Sequence, residues 1–409
     1  MPENRILSKN CGQIDPLDID TYLAAGGFKA WHKALKEMTP DAVVAEVKAS
    51  ELRGRGGAGF PCGLKWELTA REDADEKFLI CNADEGEVGA FKDRYLLQYD
   101  PFVLVEGIVI AAHAIGAQQC YIYLRQEYHY LLDCLNNALD QARERGFLEE
   151  LSIDIHEGAG AYICGEESAL MDSIEGKRGE ARYRPPFPPS KGLWGQPTII
   201  NNVETLANIP HIISNGSQWY QNLGTEQSKG TKLFSVSGDV ARPGVYEMVL
   251  GSSLEELVVG ICGAEEIKMV QVGGSTGGVI PASMLSTPLA YETVLGSGAV
   301  MVFDKSRQVL DFVHRTMEFL ADESCGKCTP CREGTEAMLA ILERLAHGDG
   351  RQEDIRALDE LSETMMLASL CGLGQAAAIP VLDTLKYFRD DYETRIQQSV
   401  FLRSMRGRL

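Results

Sequence analysis

The sequence predicts three parts: an α/β domain with a largely parallel sheet, a small α+β domain, and an all-α C-terminal part. Three observations predict this. Strand and helix patterns alternate between about residues 60 and 210. From about Gly230 the texture changes to short strands with one helix and many Gly/Pro turns. From about Arg307 the pattern is helical to the end. Alternation of strand and helix is the signature of parallel sheets, because parallel strands need crossover connections. The 409 residues divide into an N-terminal helical segment (1–50), the α/β domain (51–228), the α+β domain (229–306) and the helical domain (307–409).

The elements follow in order. Residues 18–50 read as helices, with Thr39 as N-cap and Pro40 at the first helical position of the second. Next comes "RGRGGAGF" (53–60), in which Gly54, Gly56 and Gly59 spell G-x-G-x-x-G. A dinucleotide fingerprint needs a strand before it and a helix after it. Here a helix precedes it, so the loop fails the first test. "GLKWELTA" (63–70) reads as helix, and "KFLICNADEGE" (77–87) as a buried strand ending in an acidic turn. "FVLVEGIVIAAHAIGA" suits a helix, "QQCYIYLR" a strand and "EYHYLLDCLNNALDQARERG" a helix. "LSIDIHEGAGAYICGEESALMDSIEG" gives a strand, a glycine turn and a helix. "YRPPFPPSKGLWGQP" is a proline-rich loop, after which "NNVETLAN" (201–208) opens a helix with Asn at its N-terminus.

Acidic residues outnumber basic ones, 59 to 39, for a formal charge of −20. That argues against nucleic acid or an anionic membrane surface as the main partner, and a solvated acidic surface is the simplest reading. No apolar run approaches the ~20 residues of a spanning helix. "MPENRILSKNCG" lacks the regions of a secretory signal. The expectation is a cytoplasmic protein without direct membrane insertion.

The 11 cysteines are too unevenly spaced for a disulfide framework. Cys11, Cys62, Cys81, Cys120, Cys134, Cys164 and Cys262 are scattered and read as small buried residues. The other four differ. "SCGKCTPCREG" places Cys325, Cys328 and Cys331 in C-x2-C-x2-C, and Cys371 follows in "SLCGLG". Three thiols at this spacing suit three corners of a 4Fe–4S cube, with a distant cysteine for the fourth. The alternatives are a four-thiolate zinc site, which more often uses two C-x2-C pairs, or a disulfide. Lys327, Arg332 and helix N-termini expected near Arg332 and Gly374 favour an anionic cluster.

A cluster moves single electrons, so a two-electron donor needs a flavin in between. The glycine loop offers backbone N–H groups at Gly54, Gly56 and Gly57, with Arg53, Arg55 and Lys65 as cations. A tight surface turn is the alternative. Asn82, Asp84 and Glu85 follow a strand C-terminus, where α/β folds place ligands, and "CGEES" and "NNVET" are further turns of that kind. Each could equally be a capped, solvated loop.

Taken together, "RGRGGAGFPCGLKW", "CNADEGEVGAFKDR", "GAGAYICGEESALMDSIEGKRG", "PPFPPSKGLWGQPTIINNVETLAN" and "ESCGKCTPCREG … SLCGLG" closely resemble the NADH-binding flavoprotein subunit of respiratory complex I. The same module occurs in NAD-linked hydrogenases and formate dehydrogenases. The resemblance runs from about residue 20 to 395. It implies a Rossmann-like FMN- and NADH-binding domain, a β-grasp (SLBB-like) domain, and a C-terminal four-helix bundle carrying a 4Fe–4S cluster. It implies that FMN touches Gly54, Gly56, Lys65, Asn82, Asp84, Tyr162, Gly165, Glu166, Asn201 and Asn202, with Glu85 beside them. It implies that NADH touches Gly57, Phe60, Lys65, Glu87, Glu167, Arg184 and Phe187. Phe60 and Phe187 would stack on adenine, and Glu167 would meet the adenosine ribose and disfavour a 2′-phosphate. No side chain would perform acid–base chemistry on the hydride, which Glu87 and Lys65 would position. The cluster ligands would be Cys325, Cys328, Cys331 and Cys371.

Two departures stand out. Many relatives carry an aromatic where this chain has Leu68. Hydrogenase relatives often add thioredoxin-like and ferredoxin-like domains, so this chain reads as a minimal core with one cluster. The resemblance implies a thioredoxin-like 2Fe–2S subunit as neighbour and the catalytic subunit of a soluble hydrogenase or formate dehydrogenase as terminal partner. The family also includes members that bifurcate electrons between NAD and ferredoxin. The other readings are a respiratory complex I subunit and a non-catalytic nucleotide- or cluster-binding sensor.

Overall fold

The computed structural model of the chain describes residues 5–406. The outermost positions of the N-terminal segment and of the helical domain (1–4 and 407–409) lie outside the described residues. Short helices at Ile19–Ala24 and Lys29–His32 and a π-helical turn at Lys33–Glu37 lead to the helix Pro40–Ala49. The Thr39 hydroxyl caps that helix by accepting from the Ala42 N–H at 3.2 Å.

Four parallel strands form the first sheet: β1 (Phe78–Ala83), β2 (Gln119–Leu124), β3 (Ser152–Glu157) and β4 (Thr198–Asn202), in the order β3-β2-β1-β4. The sequence reading marked a strand-to-helix turn at "NNVET" but did not delimit the strand before it, β4. Its "TIINN" follows a proline-rich loop and is too short to show a period, so the helix beginning at Val203 masked it. The expected helix at 127–146 is likewise split, with a 3-10 stretch at Gln126–Leu131 before the α-helix Leu132–Glu144.

One face of this sheet is covered by the buried helices Pro101–Ile115 and Val203–Asn215. They cross so closely that a Cβ on Gly107 would lie 2.3 Å from the Leu206 carbonyl oxygen. Gly107→Ala is therefore expected to push the helices apart and cost about 2–3 kcal/mol or more. Urea denaturation of the apo chain, compared with wild type, measures the loss.

The second sheet is mixed and five-stranded. Its strands are β5 (Thr231–Gly238), β6 (Gly244–Val249), β7 (Ile267–Val272), β8 (Gly278–Pro281) and β9 (Ala299–Asp304), in the order β6-β5-β9-β7-β8. Only the β5–β9 pair is parallel. Leu254, Leu257 and Val258 from one helical turn pack on this sheet with Phe234, Val236 and Val270. Glu247 on β6 ties the N-terminal segment down, accepting from the N–H groups of Ile6, Leu7 and Ser8 at 2.9–3.0 Å.

The helices Val309–Asp322, Thr329–Ala346, Gln352–Ala368 and Ile379–Tyr387 share a core of Met317, Leu320, Met338, Leu342, Leu358, Met365 and Val381. The helix Arg389–Arg406 follows. Among the described residues no single helix is long and apolar enough to cross a membrane. The pair Lys92–Tyr99 and Pro101–Ile115 is apolar enough jointly, but it bends by 98° and its second member is almost wholly buried.

Candidate functional site

The glycine loop is closed at its base. The Gly54 N–H donates to the Phe60 carbonyl at 2.9 Å, and Tyr291 Oη donates to the Gly54 carbonyl at 2.7 Å. Arg55 is not a free cation for a phosphate, which corrects the sequence reading. It is fully buried, and its guanidinium donates to Tyr220 Oη (2.8 Å), Tyr291 Oη (3.1 Å) and the carbonyls of Lys229, Thr231 and Arg53. It anchors the loop to the second sheet. Arg53 lies over the Tyr291 ring, 4.1 Å from its centre, and also serves the loop.

Above the C-terminal ends of β1 and β4 lies a cavity of about 240 Å³. Of the expected flavin residues, Gly56, Asn82, Asp84, Tyr162, Gly165, Glu166 and Asn202 line it. A Cβ on Gly56 would sit 3.1 Å from Asn202 Cβ, so glycine lets the loop approach the strand end. The Asn202 side chain caps the following helix at the Glu204 N–H and donates to Asp93 Oδ2 at 2.6 Å.

Two expected residues are held by partners within the chain. Asn201 Oδ1 accepts from the Trp66 indole N–H at 2.8 Å, on the face of β4 that packs against helices. A strand alternates its side chains, so neighbours Asn201 and Asn202 cannot both face the cavity. Glu85 borders the cavity, but its carboxylate caps the helix Lys92–Tyr99, accepting from the N–H groups of Asp93 (3.0 Å) and Arg94 (3.1 Å) and from Tyr128 Oη (3.0 Å). Asn201 anchors the site from the far face of β4, whereas Glu85 lines the cavity and also caps that helix.

Asp84 is different. Its Oδ2 is buried and has no hydrogen-bond partner within the chain. Burial pushes its carboxyl up to about 7, and the Arg125 guanidinium only partly offsets this. The folded chain therefore binds this proton more tightly than the unfolded chain, whose value is near 3.8. Stability contributed here falls as pH rises from about 4 to about 7, and the full cost is present above that window. Asp84→Asn is expected to raise apo stability at pH 8 by on the order of 1–3 kcal/mol. It should also flatten the pH dependence below pH 7 in thermal melts.

A cluster of charged groups lies beside the cavity, joined to it through its lining residue Glu166. Lys65 Nζ donates to Glu167 Oε2 at 2.9 Å and to the Ile200 carbonyl at 3.0 Å. Arg184 pairs with Glu167 at 2.9 Å and with Glu166. Burial would raise Glu167, but Lys65 and Arg184 outweigh it and hold the carboxyl below its usual range. Phe60 and Phe187 are exposed aromatics, 49% and 54% accessible, where a core reading would have buried them. Phe60 precedes the helix Cys62–Ala70 and Phe187 caps the short helix Pro188–Lys191, two helices packed together. Leu68, 45% exposed, lies on the first of these.

Glu87 reaches across to the second sheet. It accepts from Tyr162 Oη at 2.9 Å and from the Ser275 N–H at 2.6 Å. Ser297 lines the cavity from the same side, near Gly57, which has φ +137°. Sequence reasoning missed this contribution, along with Lys92 and Asp93 in the floor. The signal for the latter was in "FKDR", where two opposite charges open a helix after the acidic turn.

Against this cavity lies a second, lined by Cys325, Cys328, Cys331 and Cys371 with Ser324, Lys327, Ile163, Ala181, Leu370 and Leu373. Cys328 is the N-cap of the helix Thr329–Ala346 and Cys371 that of Gly372–Ala376, so both helices begin two to three residues earlier than expected. The Leu370 N–H approaches Cys328 Sγ at 3.5 Å, and Ser324 Oγ lies 3.3 Å from Cys331 Sγ. Lys327 donates to the Ala181 carbonyl at 2.8 Å and Arg178 to the Cys325 carbonyl at 2.9 Å, binding the cysteine loop to the first domain. None of the four is in a disulfide. Among the described residues no three His, Cys, Asp or Glu side chains are grouped to hold a single metal ion. The four thiols line one shared space, and four thiolates around such a space are the ligand set of a 4Fe–4S cube. The unpartnered Asp84 oxygen and the glycine-lined wall fit a polar planar ligand in the larger cavity.

Comparison with known proteins agrees with this geometry. Residues 47–211 match the Nuo51 FMN-binding domain, and residues 311–395 match the NADH-ubiquinone oxidoreductase-F iron–sulfur binding region. An NADH-quinone oxidoreductase F-type subunit of Rhizobium meliloti is 42% identical, over 96% of this chain and 98% of its own length. The HndC subunit of the NADP-reducing hydrogenase of Solidesulfovibrio fructosivorans is 43% identical, over 96% and 83%. The corresponding NADH-quinone oxidoreductase F-type subunit of Mycobacterium tuberculosis is 45% identical, over 91% and 88%. Among solved structures, an NAD+-reducing NiFe-hydrogenase in the air-oxidized state superposes with a TM-score of 0.87 at 45% identity over 92% of this chain. The chain spans 66% of that hydrogenase chain, just under two thirds.

Fold and site thus define an oxidoreductase subunit that binds a flavin and an iron–sulfur cluster. The chain belongs to the family of NADH-quinone oxidoreductase F-type subunits, the NADH-binding flavoproteins with FMN and a 4Fe–4S cluster. The zinc and sensor readings of the sequence are set aside.

Proposed function

We propose that this chain is the NAD(H)-handling subunit of a soluble hydrogenase or formate dehydrogenase, working through a Rossmann-like domain (51–228), a β-grasp domain (229–306) and a C-terminal four-helix cluster domain (307–409). The observation that carries the reading is that one chain sets a glycine-walled cavity directly against a cavity lined by four thiols. FMN, when bound, supplies the exchange between a two-electron hydride and single electrons.

The chain's own residues bind and orient. Gly54, Gly56, Lys65, Asn82, Asp84, Tyr162, Gly165, Glu166 and Asn202 would hold FMN, with Asp84 Oδ2 gaining a partner it lacks within the chain, and Gly57 would meet NADH. Phe60 and Phe187 would flank adenine at the mouth. Glu87, fixed by Tyr162 and Ser275, and Lys65, fixed by Glu167, would align the nicotinamide. Cys325, Cys328, Cys331 and Cys371 would ligate the cluster.

The partners would be a thioredoxin-like 2Fe–2S subunit and a hydrogen- or formate-activating subunit, in the cytoplasm. Similarity to the NAD+-reducing hydrogenase supports this, while a complex I setting is supported by the near-complete match to the Rhizobium meliloti protein. An anaerobic NADH titration followed by absorbance and EPR tests the chemistry. Flavin bleaching with a reduced-cluster signal under NADH or a stronger reductant is expected, and a protein that stays unresponsive after reconstitution with FMN and iron would overturn it. Copurification from the source cell then separates a hydrogenase or formate dehydrogenase from a quinone-reducing assembly.

Glu167 would exclude a 2′-phosphate by charge. Glu167→Gln is expected to narrow the preference for NADH over NADPH by about tenfold, equivalent to about 1.4 kcal/mol. The ratio of kcat/KM for the two nucleotides measures it.

A further inference from the structure

We infer that Ile163 and Leu373 form the wall that electrons cross between the flavin cavity and the cluster cavity, and that this wall keeps the cluster dry and its potential low. The inference rests on the flavin and cluster reading above. Both residues line both cavities. They are 6% and 7% exposed, and neither carries a polar side-chain atom.

Each sits on an element that belongs to both sites. Ile163 is in the turn Tyr162–Gly165, whose ends line the flavin cavity. The Tyr162 N–H donates to Glu323 Oε2 at 3.0 Å, and Glu323 immediately precedes the cysteine loop. Leu373 lies in the short helix capped by Cys371, and its own backbone N–H bonds that cysteine. The wall is thus fixed to the flavin side through the turn and to the cluster side through a ligand.

The electron balance is simple. NADH yields NAD+, a proton and two electrons through the flavin. The electrons cross singly, each reducing the cluster by one. A one-electron oxidant takes them on, an iron–sulfur partner in the assembly or ferricyanide in solution. Reduction adds negative charge to the cluster, and water stabilises that charge more than packed side chains do. Solvent exposure is accordingly one of the settings of an iron–sulfur potential.

The test uses the full chain loaded with FMN and cluster, and reads the cluster midpoint potential by EPR-monitored redox titration. Leu373→Ala and Ile163→Ala are each expected to shift the midpoint to more positive values, with Ile163→Val between Ile163→Ala and wild type. Flavin bleaching by NADH, followed in the same samples, reports whether the flavin is still bound and reducible in each variant. An unchanged midpoint in both alanine variants, with cluster content retained, would overturn the inference. If Leu373→Ala loses the cluster through Cys371, the two Ile163 variants decide, because Ile163 is on no ligand-bearing helix, and no shift in them overturns it. A wild-type chain that neither bleaches nor shows a cluster signal would instead sink the underlying functional reading.

Discussion

Cys328→Ser leaves the flavin reducible by NADH and abolishes electron transfer beyond it. Cys328 stands at the N-cap of the helix Thr329–Ala346, where the helix dipole favours a thiolate and its anionic cluster, and the Leu370 N–H lies 3.5 Å from its sulfur. Serine supplies a harder and less acidic oxygen, a poor match for iron that otherwise sees thiolates. The flavin cavity is lined by other residues, and none of the four cysteines is among them. The variant should therefore bleach with NADH as wild type does and pass electrons from the flavin to ferricyanide. It should lack the reduced 4Fe–4S EPR signal and reduce an iron–sulfur partner at background rate. Onward transfer at the wild-type rate would show that the assigned path through the cluster is wrong.

The cluster was the most legible part of the site. Its ligands are close in sequence, their spacing is a property of a short loop, and the fourth thiol falls at another helix N-terminus. The glycine loop was legible as an unusual turn, and its failure to follow a strand correctly set it apart from the common fingerprint. Its arginine was not legible. A cation beside glycines suggests a phosphate, but burial of Arg55 against Tyr220, Tyr291 and backbone carbonyls is a long-range fact that no local pattern carries. The same holds for Asn201 and Glu85. Strand parity turns Asn201 to the far face of β4, and Glu85, which lines the cavity, also caps a helix that begins seven residues later. The contribution of the second sheet, through Ser275 and Ser297, depends on how two units dock and left no mark in the sequence of either.

Glu204→Ala is expected to cost about 3–5 kcal/mol of stability, because it leaves two buried cations without their shared carboxylate. Glu204 is fully buried and pairs with Lys92 at 2.9 Å and Lys232 at 3.2 Å, and it accepts from the Leu233 N–H at 2.8 Å. Burial alone would raise its carboxyl, but the two lysines outweigh that and lower it. Burial pushes Lys232 down to about 7 even with Glu204 present. Lys92 keeps Asp93, 2.7 Å away, whereas Glu204 is the only carboxylate paired with Lys232 among the described residues. The effect reaches the site, since Lys92 and Asp93 lie in the floor of the flavin cavity and Asp93 holds Asn202. The pH dependence gives the cause away. Without Glu204, Lys232 binds its proton still more weakly in the fold than in the unfolded chain. The unfolded state then takes up more protons at neutral pH, so stability rises with pH. Because Lys232 in the wild type is already lowered to about 7, the two folds differ in its protonation only below that value, so the deficit of Glu204→Ala should narrow as pH rises from about 5 to about 7 and level off above it in denaturant titrations. Glu204→Gln retains an acceptor for the Leu233 N–H and should lose less. A deficit that is constant across pH in both variants would mean that Glu204 acts through packing and its backbone hydrogen bond rather than through charge.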